Sequence, residues 1–108
     1  MMFKNIIKFS HHLGQTKKGV DRTPYIFCNK NNPYLNQIEC PITDSLHKNI
    51  ENLYLENKKI ESKRINIGGD HSMSIATVTD SLEKYNDNLK LIWMDAHCDI
   101  NTYKSSST

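Results

Sequence analysis

The chain has 108 residues, room for one small domain or a piece of a larger one. Hydrophobic residues make up 37% of it, against a usual apolar share of roughly 45–50% with glycine counted, so composition alone does not assure an independent fold. Fourteen basic residues against twelve acidic ones leave a net charge of +2. These charges are spread along the chain, and no basic cluster offers a nucleic-acid or membrane-surface patch.

Cysteines stand at 28, 40 and 98, an odd number without paired spacing. That argues against a disulfide framework and fits a reducing compartment. The apolar stretch at the start is short and interrupted by Lys4 and Lys8, so a signal peptide is not expected. No run reaches the roughly 18 apolar residues of a membrane span. A soluble cytoplasmic protein is the expectation.

In chain order, Phe3 to Phe9 reads as a first strand, apolar at Phe3, Ile6, Ile7 and Phe9. Ser10 to Thr23 is a polar loop with Gly14 and Gly19, and Pro24 suits the first residue of a short helix. Asn29 to Cys40 has little periodicity and reads as loop or poorly ordered chain. From Ile42 to about Ile60, apolar residues at 42, 46, 50, 53, 54 and 60 predict an amphipathic helix. Arg64 to Ile67 is a short β-favouring run stopped by Gly68-Gly69, and Ser72 to Tyr85 reads as a helix with Met73, Ala76, Thr77 and Leu82 inward. Leu89 to Met94, nearly all apolar, predicts a strand covered on both faces. Helix, strand, helix, strand in alternation implies an α/β fold with a parallel sheet. No internal repeat or linker divides the chain.

Two segments carry chemistry. Asp95-Ala96-His97-Cys98-Asp99 directly follows the last predicted strand. Continued extended backbone would aim Asp95, His97 and Asp99 to one side, since side chains two apart share a face. Carboxylates and imidazole together suit a borderline divalent metal, and open α/β sheets place ligands at the carboxyl ends of their strands. The bland alternative is an acidic surface loop. The second segment, Ile67-Gly68-Gly69-Asp70-His71-Ser72, lies where a strand gives way to a helix. Its glycines permit φ > 0 or close backbone approach, and Ser72 suits an N-cap. Here the bland alternative is a plain turn with Asp70 or Ser72 capping and His71 incidental. A phosphate loop is weak, because neither GxGxxG nor GxxxxGK[ST] is present. Taken together, the segments end strands that can be neighbours, so His71 could join Asp95, His97 and Asp99 in a two-metal hydrolytic site.

Gly68-Gly69-Asp70-His71-Ser72 and the stretch from Trp93 to Thr102 resemble the first two signature motifs of the arginase/agmatinase superfamily. Gly14-Gln15, Lys18-Gly19-Val20-Asp21 and Pro24 are similar to the first loop of arginases in particular. The resemblance implies a three-layer α/β/α fold around a parallel sheet, present here as its N-terminal part, and a binuclear Mn²⁺ centre. By the same resemblance His71 would ligate one ion and His97 the other, Asp95 would bridge them, and Asp99 would share the ion of His71. Asn101 falls where arginases contact the substrate α-carboxylate, and Ser106 and Thr108 continue that stretch.

The implied activity is hydrolysis of L-arginine to L-ornithine and urea, with agmatine or another guanidino or formimino compound as second choice. Family members run to about three hundred residues and often form trimers or hexamers. Their later Asp-x-Asp motif, proton-transferring His and guanidinium-gripping Glu have no counterpart here, and no nucleic-acid or membrane partner is implied. The region between Pro24 and His71 is shorter than usual, which predicts the loss of an early strand. Cys98 stands where a small residue or Thr is usual and is assigned no role. The isolated chain is therefore expected to be inactive, with a non-catalytic remnant and a mononuclear metal-binding module as competing readings.

Overall fold

The structure, a computed structural model, describes residues 4–14, 19–27 and 32–95. Strand β1 (Lys4–Phe9) is followed by a short helix α1 (Thr23–Phe27), strand β2 (Leu35–Glu39), helix α2 (Leu46–Lys58), strand β3 (Arg64–Gly68) and helix α3 (Met73–Tyr85). The three strands form one parallel sheet in the order β2-β1-β3. In register, Lys4 pairs with Leu35 and Lys8 with Glu39, while Asn5 pairs with Arg64 and Phe9 with Gly68. This is the parallel α/β architecture expected from the alternating elements.

Strand β1 is central, and its sequence shows why. Ile6, Ile7, Lys8 and Phe9 are all buried, because a middle strand is covered on both faces. Ile7 and Phe9 point to one side and join Leu53 of α2, Ala76 of α3 and Cys40 in the core. On the opposite side, Lys8 buries its stem with its ammonium 5.7 Å from the centre of the Tyr25 ring on α1.

Helix α2 starts at Ser45, whose side chain accepts from the Lys48 N–H at 3.2 Å. Its buried stripe is Asn49, Leu53 and Asn57, spaced at i, i+4, i+8. Ile50, Tyr54 and Ile60 pack half-buried beside that stripe, while Ile42, expected inward, is exposed. The buried amides are satisfied: Asn49 bonds the backbone and hydroxyl of Thr43, and Asn57 bonds Leu53 O, Asn66 and Arg64. Along α3, Ala76 and Asp80 are buried, but Leu82 lies on the outer face rather than inward. Asp80 forms ion pairs with Arg64 of β3 and with Lys84 Nζ at 3.0 Å. Lys84 also donates to the carbonyls of Asn57 and Ile60 where α2 ends.

Two expectations are corrected. The stretch from Asn29 to Cys40, expected to be loop or poorly ordered, contains β2, an edge strand whose ladder with β1 orders residues of weak intrinsic preference. Conversely, Leu89 to Met94 is not a strand. Extended chain is held by ladder partners and cover, and among the described residues this run has no neighbouring strand; Leu91, Ile92 and Met94 are exposed.

Candidate functional site

The strand order places β2 and β3 on opposite sides of β1, so the chain reverses direction across the sheet between β1 and β3. Ligands of open α/β sheets bind outside the carboxyl ends of the strands at such a switch point. The segments leaving β1 and β3, residues 10–14 and 69–72, meet there. The Asp70 N–H donates to His11 O at 3.0 Å. A Cβ on Gly69 would come within 2.5 Å of His11 O and 2.6 Å of Phe9 O, so only glycine permits this approach. Of the two properties a glycine permits, Gly69 uses close approach; the described glycine with positive φ is Gly19.

Asp70 is the hub of the junction. Its carboxylate accepts from the Gly14 N–H at 2.8 Å, the Ser72 N–H at 3.0 Å and the Ser72 hydroxyl, with His11 Nδ1 at 3.2 Å. Burial pushes the carboxyl up, but the Ser72 hydroxyl, the Gly14 and Ser72 amides and the His11 ring together hold it below the usual carboxylate range. Ser72 stands at the N-cap position of α3 without making a side-chain cap bond. Asp70 instead accepts from the Ser72 N–H two residues on, an Asx turn that fixes the chain just before the helix. Gly14, from the loop that resembles arginases, is thereby tied to the motif containing His71.

His71 itself points outward, its side chain 70% exposed. Its Nε2 lies 3.3 Å from Asp95 Oδ2, and its ring lies 5.7 Å from the ring of Trp93. Two of the four expected metal ligands are therefore adjacent. His97 and Asp99, with Asn101, Ser106, Thr108 and Cys98, lie outside the described residues. Among the described residues no group of three His, Cys, Asp or Glu side chains could hold a metal ion. An imidazole nitrogen and a carboxylate oxygen are donor types that a borderline divalent cation accepts, and the pair alone falls short of the three or four protein donors such a site needs.

The Arginase family model matches residues 4–108. The chain belongs to the arginase family. An arginase of Bacillus subtilis is 48% identical over 52 residues, covering 46% of this chain and 17% of that protein. An arginase of Saccharomyces cerevisiae is 47% identical over 51 residues, 45% of this chain and 15% of the yeast protein. That of Plasmodium berghei is 36% identical over 80 residues, 72% of this chain and 22% of its own length. The chain thus matches less than a quarter of these relatives. No solved structure matches it.

Within this arginase-family frame, His11 is the residue that sequence reasoning missed. It is fully buried, stacked on Phe9 with ring centroids 4.8 Å apart, and in contact with Asp70. Its position at the carboxyl end of the first strand was the available signal; no recognised motif contained it. Cys40 is also buried, and burial, then the charge of Glu56, pushes its thiol up to about 12, which makes it an inert core residue. No helix among the described residues is long and apolar enough to cross a membrane.

Proposed function

We propose that this chain contributes the first part of a binuclear manganese site that hydrolyses L-arginine to L-ornithine and urea. The observation that carries the reading is the pairing of His71 with Asp95 in a chain of the arginase family. His71 and Asp95 would hold one ion between nitrogen and oxygen, with His97 and Asp99 supplying the next donors. Two such ions supply Lewis acidity and a nucleophilic water at neutral pH. The chain's own part is to aim donors. Asp70 clamps the turn that presents His71, and Trp93 flanks its ring. Asn101, Ser106 and Thr108 would hold the α-carboxylate of the substrate, which favours arginine over agmatine. We place the protein in the cytoplasm, in keeping with an unpaired, buried Cys40.

Trp93 provides the test, because it is the one tryptophan of the chain and lies beside His71. Paramagnetic Mn²⁺ bound at the pair should quench its fluorescence saturably. His71→Ala and Asp95→Ala should each weaken that binding about 10-fold or more. Equal binding by the wild type and both variants removes the site. Four ligands fall short of two ions in catalytic geometry, so the 108-residue chain alone should release no urea above background. Mn²⁺-dependent urea release by it would overturn that expectation. In an active preparation containing this chain, a kcat/KM for agmatine equal to that for arginine would favour the broader guanidino-hydrolase reading.

A further inference from the structure

We propose that His11 is a positioning residue, its Nδ1–H holding the Asp70 carboxylate and so locking the loop after β1 to the turn that presents His71. Asp70, ionised, can only accept, so the contact at 3.2 Å requires the proton on His11 Nδ1. The Ser72 hydroxyl lies 3.4 Å from the same nitrogen. The backbone repeats the connection, since His11 O accepts from the Asp70 N–H. His11 thus engages Asp70 by main chain and side chain together, while Asp70 engages Gly14 and Ser72. The ring is buried with no exposed edge, fixed by stacking on Phe9, and its Nε2 has no hydrogen-bond partner among the described residues. A buried imidazole with one nitrogen unsatisfied is costly to keep for packing alone. An apolar ring would fill the same space beside Phe9. What the imidazole adds is the Nδ1 donor, directed at the residue before His71. Partners one step behind metal ligands orient them, and their loss commonly weakens metal binding about 10- to 100-fold.

The consequence for metal binding rests on the reading of His71 as a ligand; the locking of the turn does not. Two variants separate hydrogen bonding from packing. His11→Phe keeps an aromatic ring without the donor, and His11→Asn places an amide N–H near the position of Nδ1. In the 108-residue chain, amide hydrogen exchange at Gly14 and Ser72, both donors to Asp70, should accelerate about tenfold in His11→Phe. His11→Asn should stay close to the wild type. Nitrogen-15 NMR should find the wild-type His11 protonated on Nδ1, and Mn²⁺ affinity should follow the same order as the exchange rates. Unchanged exchange in His11→Phe, equal acceleration in both variants, or a proton on Nε2 alone would each overturn the proposal. If exchange and tautomer behave as expected while the wild type binds no Mn²⁺, the positioning role stands and the metal reading of His71 fails.

Discussion

Asp70 sits among four donor contacts with 4% of its surface exposed, and those contacts decide its charge state. Because its folded pKa is depressed, the carboxylate binds fewer protons folded than unfolded. Its stabilising contribution is therefore complete above the unfolded value of about 3.9 and is lost as pH falls from there through the lower folded value. Urea midpoints measured from pH 7 down to pH 2 should drop below about pH 4. Asp70→Asn should be less stable at pH 7 and show a shallower drop; an identical acid limb in both proteins would reject the argument. Gly69 makes a steric claim of the same local kind. A methyl group there meets two carbonyl oxygens of the β1 exit, and backbone yields less readily than a side chain. Gly69→Ala should cost about 1–3 kcal/mol in denaturant unfolding. A cost within a few tenths would mean that the two strand ends can move apart freely.

The helices are joined by charge as much as by apolar contact. Asp80 is 1% exposed between Arg64 and Lys84, and Lys84 also closes the end of α2. Removing the anion alone leaves two largely buried cations facing each other, so Asp80→Ala should destabilise the fold by about 3–5 kcal/mol. Thermal or urea unfolding would measure this, and a loss below about 1 kcal/mol would show that solvent replaces the anion at little cost. The same chemistry explains what was legible at the level of elements. β1, β3, α2 and α3 follow their apolar periodicities to within a few residues. The inward face of α2 was legible in Ile50, Leu53 and Tyr54 but not in Asn49 and Asn57, two of its three buried positions, which hydropathy assigns to solvent. Their burial becomes favourable only through partners outside the helix, Thr43 before it and Arg64 and Asn66 after it, which an amphipathic pattern does not register. Leu35–Glu39 failed for a related reason: its sequence, LNQIE, carries little strand preference, and the ladder with β1 supplies the rest. At the candidate site, the motif around His71 was legible as a turn between strand and helix. The clamp from His11 was not, since a contact across 59 positions leaves no trace in local pattern.

For the molecule as a whole, the distribution of apolar surface is the outstanding feature. Ile65 on β3 and Ile75 and Leu82 on α3 are exposed, as are Leu91, Ile92 and Met94 in the run expected to be a covered strand. β3 ends the sheet, and among the described residues no strand continues beyond it. An uncovered strand edge beside exposed apolar side chains is a template for pairing with another chain. The run 91–94 is the more adaptable part of that surface, because no ladder commits its backbone. The 108-residue chain should accordingly self-associate as concentration rises, with the weight-average mass in sedimentation velocity increasing over the micromolar range. Two charges should suppress this: Ile92→Lys with Met94→Lys places them where Ile92 is 78% and Met94 92% exposed, so the fold loses almost no buried contact. Far-UV circular dichroism and the urea midpoint should stay unchanged while the mass falls toward that of the monomer. If the double variant associates as strongly as the wild type, association runs through Ile65 and the edge of β3. A Lys at position 65 is then the change that should separate the molecules.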